Sequence, residues 1–179
     1  MRTAMTTESD ATPAECPPFA DIVRQHQGMV FSIAWNFLRD RTLAEELAQD
    51  VFLQLHRHLH EMQSAAHVAF WLKKVACHRA IDCARRRKLR PQVSIEGVPE
   101  PSIPAAPGDP LLSDMLRRLI GALPEKQRMA LILRYQEDLD PAEIAEVLKV
   151  PVRTIKSQLQ RSLATLRQKL GRRLGEEIV

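Results

Sequence analysis

The chain has 179 residues, 45% of them hydrophobic and only 4% aromatic, which leaves room for one or two small domains with modest cores and favours helices over sheet. No apolar run reaches the roughly eighteen residues of a membrane span, so no membrane insertion is expected, and the opening MRTAMTTESDATPAECPP lacks the apolar centre of a secretory signal, so the expected location is cytoplasmic. The net charge of +4 conceals a strong asymmetry: Arg85–Arg90 carries five positive charges and residues 149–173 carry eight, while residues 91–110 hold only Glu96, Glu100 and Asp109. Two basic clusters separated by an acidic strap point to two separate contacts with nucleic acid.

Residues 1–18 are polar and proline-bearing and read as a tail, followed by a first helical domain over 19–90. From Phe19 to Arg39 the pattern predicts one amphipathic helix or two short ones, with Ile22, Val23, Val30, Ile33, Ala34, Phe37 and Leu38 as core. Thr42 and Glu45 have capping-box spacing and predict a helix through about Glu61. Leu43, Leu47, Leu55 and Leu59 would face inward, leaving Glu45, Glu46, Gln49 and Asp50 on an acidic outer face. A third helix is expected from near Ala66, with Phe70, Trp71, Leu72, Val75, Ala76, Ala80 and Ile81 apolar and the Arg85–Arg90 cluster at its end. Trp71, amid that stripe, is expected to pack in the core.

Residues 91–110 hold six prolines and two glycines and predict an extended linker. A second helical domain is expected over 111–173, with a short tail at 174–179. Its most informative stretch is LDPAEIAEVLKVPVRTIKSQLQRSLATLRQKL, Leu139 to Leu170. Asp140, Pro141 and Glu143 supply an N-cap, a first-turn proline and a capping-box glutamate, and Ile144, Val147 and Leu148 recur at helical spacing. Ala145 is small enough to let a second helix cross closely, and Val150-Pro151 breaks the pattern. Ile155, Leu159, Leu163, Leu166 and Leu170 then form one buried stripe, which exposes Arg153, Thr154, Lys156, Ser157, Gln160 and Arg161. No acidic residue lies between Glu146 and Glu176. Such a helix pair can enter the DNA major groove: arginine, lysine and glutamine read base edges, while lysine, serine and threonine also hold phosphates. The fold class is therefore all-α, two small helical domains joined by a Pro-rich linker, with a helix-turn-helix in the C-terminal one.

Three segments together resemble the extracytoplasmic-function (ECF) group of sigma-70-type RNA polymerase sigma factors: AEELAQDVF (Ala44–Phe52), AFWLKKVACHRAIDCARRRKL (Ala69–Leu89) and the stretch from Leu123 to Leu170. The resemblance implies a region 2 over 19–90 and a region 4 over 111–173. It implies docking on core RNA polymerase through Glu46, Gln49 and Asp50, which would present paired carboxylate and amide acceptors to a partner helix. It assigns the loop His60–His67, with Met62, Gln63 and Ser64, to capture of an unstacked −10 base, and Lys73, Lys74, His78, Arg79, Arg85 and Arg86 to the −10 strand. It assigns Arg153, Thr154, Lys156, Ser157, Gln160 and Arg161 to the −35 element. The acidic linker would thread through the polymerase. The implied partners are core polymerase, promoter DNA and an anti-sigma factor; no catalysis, cofactor or metal is implied. The chain departs from the family pattern at His78, where asparagine is common, and at Arg153 and Gln158, where glycine and arginine are common.

Two other readings compete. A stand-alone helix-turn-helix regulator would explain 111–173 but leave Ala44–Phe52 and the Arg85–Arg90 helix without a role. A metal site would draw on His56, His58, His60, His67, Cys77 and His78, of which His56 and His60 have (i, i+4) ligand spacing but no completing acid or cysteine. Cys16, Cys77 and Cys83 have no CxxC spacing and read as reduced thiols.

Overall fold

A computed structural model describes residues 17–89 and 110–176, the side chains of 110–114 and 173–176 excepted. Nearly all of the N-terminal tail, nearly all of the linker, and Cys16 lie outside the described residues. The described residues form seven α-helices and no strand: α1 (Phe19–Leu38), α2 (Arg41–His58), α3 (Ala65–Leu89), α4 (Pro110–Gly121), α5 (Glu125–Tyr135), α6 (Pro141–Leu148) and α7 (Val152–Glu176). The expected helix over 19–39 is a single one. The C-terminal helix runs past the expected boundary at 173.

The junction between α1 and α2 differs from expectation. Arg39 closes α1 in the left-handed region, φ 57°, and donates its N–H to the Trp35 carbonyl. That turn leaves Asp40 extended at the N-cap of α2, where its carboxylate accepts from the Leu43 N–H at 3.1 Å. Thr42 is thus already inside the helix, and Glu45 pairs with Arg41 at 2.8 Å instead of completing a capping box. An aspartate placed at the cap by the preceding turn is as good an acceptor as threonine, so it takes the position. A single 3₁₀ turn, Leu59–Glu61, leads towards α3, whose Ser64 side chain accepts from the His67 N–H at 3.1 Å.

The first three helices pack pairwise. Ile22, Val30, Ile33, Ala34 and Phe37 of α1 meet Leu47, Val51 and Leu55 of α2 and Val68, Leu72, Ala76 and Ala80 of α3 in one buried cluster. Each fully buried large apolar side chain contributes roughly 1.5–3 kcal/mol. Trp35 joins this core, stacked at 6.3 Å on Phe31, although periodicity does not single it out. Trp71 is only half-buried and tilts against His58, at 6.2 Å.

The second half packs α5 and α6 against α7, and its core also continues into the first half. Its private cluster is small: Leu119, Leu123, Leu131 and Leu166. Met129, Ile132, Leu133, Ile144, Val147 and Ile155 instead join the cluster of the first half, with α5 against α1 and α6 against α3.

Candidate nucleic-acid interface

Helix α6 begins as its sequence dictates. The Asp140 carboxylate accepts from the N–H groups of Ala142 (2.6 Å) and Glu143 (2.9 Å), and Glu143 accepts from the Asp140 N–H at 2.7 Å. It ends at Lys149, held at φ 53°, while Val150 donates back to the Ala145 carbonyl at 3.0 Å. This reversal lets α7 start two residues later and pack against α6, on which Ala145 is buried. Ile155 and Leu166 are buried, and Leu159, Leu163 and Leu170 are half-buried. Arg153, Lys156, Gln160 and Arg161 are accordingly exposed, with Thr154 and Ser157 half-buried along the same first turns.

The residues expected for −10 contact fall into three groups. Arg79, Arg85 and Arg86 are exposed, and Lys74 is half-buried with its ammonium 5.7 Å from the centre of the Phe70 ring. Lys73 and His78 face the second half of the molecule. Lys73 lies 3.9 Å from Glu137, with the two side chains 21% and 11% exposed. His78 lies near the Leu148 backbone. Burial, with Lys149 and Lys74 nearby, holds its imidazole below the ordinary range. Burial likewise pushes the Glu137 carboxyl up.

The loop residues differ among themselves. Gln63 is exposed, Ser64 is committed to capping α3, and Met62 is buried at 8% exposure within the first core. Met62 therefore cannot present itself to a base without leaving that core. Its sequence gives no warning, because a lone methionine between polar residues carries no periodicity.

On α2, Glu46, Gln49 and Asp50 are all exposed, as their helical spacing predicts. Gln49 borders an apolar groove lined by Phe19, Val23, Phe31, Phe52 and Leu53, the last 58% exposed. Asp50 reaches the other way, to Arg79 of α3 at 3.1 Å, and Gln54 accepts from the same guanidinium at 3.0 and 3.1 Å. The acidic face and the basic helix are thus physically joined, a link that neither segment reveals alone.

The chain matches the family model for sigma-70 region 2 over residues 22–90, which takes in α1 to α3, and the model for sigma-70 region 4 over residues 113–166. It is 32% identical over 161 residues to the ECF RNA polymerase sigma factor SigK of Mycolicibacterium vanbaalenii, covering 86% of this chain and 82% of SigK. The protein is an ECF sigma factor. Its similarity extends to SigW of Bacillus subtilis, 27% identical over 169 residues and covering 85% of this chain and 88% of SigW. In fold it is like the sigma factor RpoE solved with the anti-sigma factor NepR from Bartonella quintana, with a TM-score of 0.71, 22% identity, and coverage of 86% of this chain and 96% of RpoE. It is also like CnrH solved with the cytosolic domain of CnrY, with a TM-score of 0.61 and 18% identity, over 86% of this chain and 87% of CnrH.

The histidines of this sigma factor have local partners. His56 packs edge-on against Phe19 at 4.9 Å, and His58 and His60 lie 3.0 and 3.7 Å from Glu61. Among the described residues no group of three metal-ligating side chains converges, and no helix is long and apolar enough to cross a membrane. Cys77 is fully buried, and burial raises its thiol pKa far out of the reactive range.

Proposed function

We propose that this sigma factor binds core RNA polymerase through Glu46, Gln49 and Asp50, reads the −10 element with α3 and the loop before it, and reads the −35 element with the start of α7. The observation that carries this reading is the row of exposed Arg153, Lys156, Gln160 and Arg161 on a helix held by a capped partner helix. Side chains of this kind on the first turns of a recognition helix reach base edges and phosphates together. On α3, Arg79, Arg85, Arg86 and Lys74 would hold strand phosphates, with Gln63 and Ser64 beside the extruded base. Lys73 and His78 join them once the second half has moved aside. Domain limits of 19–90 and 111–173, with a connecting strap over 91–110, follow from the same reading. The apolar groove beside Gln49 adds contact area to the polymerase-docking face.

The protein acts in the cytoplasm, with no catalysis of its own and no cofactor, and directs initiation at a specific set of promoters. An anti-sigma factor is the expected regulator, a reading supported by the fold likeness to the sigma factor RpoE solved with the anti-sigma factor NepR. The test is transcription in vitro with purified chain, bacterial core polymerase and a bacterial genomic DNA library, followed by sequencing of RNA starts. Discrete starts that share two upstream motifs are expected. Binding to duplex DNA without core association or directed starts would instead favour a stand-alone regulator.

A further inference from the structure

Helices α2 and α3 are tied at the surface by one guanidinium. Arg79 of α3 donates from Nε and Nη2 to the Gln54 amide oxygen, at 3.1 and 3.0 Å, and from Nη1 to Oδ2 of Asp50 at 3.1 Å. Its rigid fork of N–H groups is thus divided between two side chains one helical turn apart on α2. Among the described residues no other side chain hydrogen-bonds to the Asp50 carboxylate, which stays 61% exposed. Glu46, one turn earlier, lines the same groove between α2 and α3 but has no such tie. The neighbouring Ala76 and Ala80 are fully buried in the first core, so the Arg79 side chain leaves an anchored stretch of α3.

We infer that Arg79 is a positioning residue for the docking of core polymerase: it holds the Asp50 carboxylate in the orientation that a partner cation meets, with Gln54 as the second anchor of its fork. The inference rests on the proposed role of Asp50 in core binding. An aspartate alone on a helix surface exchanges among staggered rotamers, and a partner must fix one of them on binding. With Oδ2 taken by Arg79 that ordering precedes the encounter, and Oδ1 is left for a donor from outside. A second donor on the same carboxylate is no obstacle, because an ionised carboxylate accepts at both oxygens. Lysine would not serve in this way. Its point charge on a flexible stem attracts Asp50 without fixing its plane, whereas the guanidinium grips Gln54 and Asp50 at once. Charge alone acts in the opposite sense: a cation beside Asp50 competes with the cations of a partner helix, so a merely electrostatic Arg79 would weaken docking. The N–H groups of Arg79 that α2 does not use leave its proposed strand contact available, so the role in docking is an additional one.

The test reads core binding without DNA, so that contacts of α3 with promoter strands do not enter. The full chain and its variants compete with labelled wild-type chain for bacterial core polymerase, at low salt, where weakened chains still bind. Arg79→Lys keeps the charge and removes the fork, and it should bind about threefold more weakly than wild type, in keeping with an exposed pair. The same loss is expected in a Glu46→Ala background and none in an Asp50→Ala background, since Arg79 then has nothing to orient. Gln54→Ala should weaken binding about twofold in the wild-type chain and no further once Arg79 is replaced by lysine. Unchanged or tighter binding of Arg79→Lys would overturn the inference. An equal loss with and without Asp50 would also overturn it, making the tie a brace between α2 and α3 and nothing more. Where the Asp50→Ala chain binds too weakly to titrate, the Gln54 pair decides, and fully additive losses there overturn the inference. Wild-type affinity of the Asp50→Ala chain itself would instead overturn the docking face on which the inference rests.

Discussion

Helices α3 and α7 are both 25 residues long and both basic, yet they hold their charge differently. On α3 five of the seven lysine and arginine cations are ion-paired: Lys73 with Glu137, Arg79 with Asp50, Arg85 with Asp82, Arg87 with Asp40 and Lys88 with Glu125. Among the described residues no ion pair reaches Arg153, Lys156, Arg161, Arg167, Lys169 or Arg172 of α7. If the proposed roles hold, the α7 row is a standing electrostatic footprint for DNA, whereas most of the α3 cations must exchange internal carboxylates for phosphates. For exposed pairs such as Arg79 with Asp50 the exchange is easy, since each is worth about 0–1 kcal/mol. For Lys73, covered by the second half, it requires the halves to move.

The helices also differ in how they are seated, and the largest expected effect breaks that contrast. Helix α3 buries Val68, Leu72, Ala76, Cys77 and Ala80, whereas among the described apolar side chains of α7 only Ile155 and Leu166 are buried. Ile155 is fully buried in the shared cluster, so Ile155→Ala should cost about 2–5 kcal/mol in urea unfolding. A reduction well below that range would mean that α7 is held mainly by its half-buried leucines.

The next effect tests the charge contrast directly. Arg153→Ala with Lys156→Ala removes two unpaired cations, and should weaken transcription mainly from promoters that depend on a −35 element, by about tenfold or more. For the isolated DNA-binding step, the slope of log affinity against log salt should fall by up to about 0.9 for each phosphate that is no longer neutralised. Removing the paired Arg79 should change that slope less, because its charge is already offset within the protein. Equal weakening at −35-independent promoters would refute the assignment of the α7 face.

These contrasts explain what is legible in the sequence. The α6–α7 pair can be read because every signal there is local: Asp140, Pro141 and Glu143 at the cap, Ala145 on the buried face of α6 and leucines at spacings of three and four. The acidic row of α2 is legible for the same reason. The cap of α2 falls at Asp40 and not at Thr42 because of the left-handed turn at Arg39, which cannot be read from a residue type that seldom adopts it. Met62 belongs by position to the loop proposed to capture a base, while its burial depends on helices distant in sequence. The pairs Asp50 with Arg79 and Lys73 with Glu137 join residues whose separation leaves no periodic trace, so only the packed structure reveals that the two proposed surfaces share side chains.

The smallest expected effect again separates the two helices, since α3 carries a histidine in its covered face and α7 carries none. Burial of His78 disfavours its imidazolium, and Lys149 and Lys74 add to this, outweighing the opposing influence of Asp82 and the Leu148 backbone. As pH falls below about 6.5 the unfolded chain takes up the proton first, so stability present above that value is lost until the lowered folded pKa is passed. His26 acts in the same sense, whereas the raised Glu137 acts in the opposite one, adding stability at the acid end that fades as pH rises. The wild-type profile mixes these contributions, but its difference from His78→Gln isolates one. That difference should be flat above about pH 7, and wild type should lose ground to the variant as pH falls through about 6 in thermal unfolding. A difference independent of pH would mean that the ring gains its proton as readily under α6 as in water, and that the covered face of α3 is open to solvent.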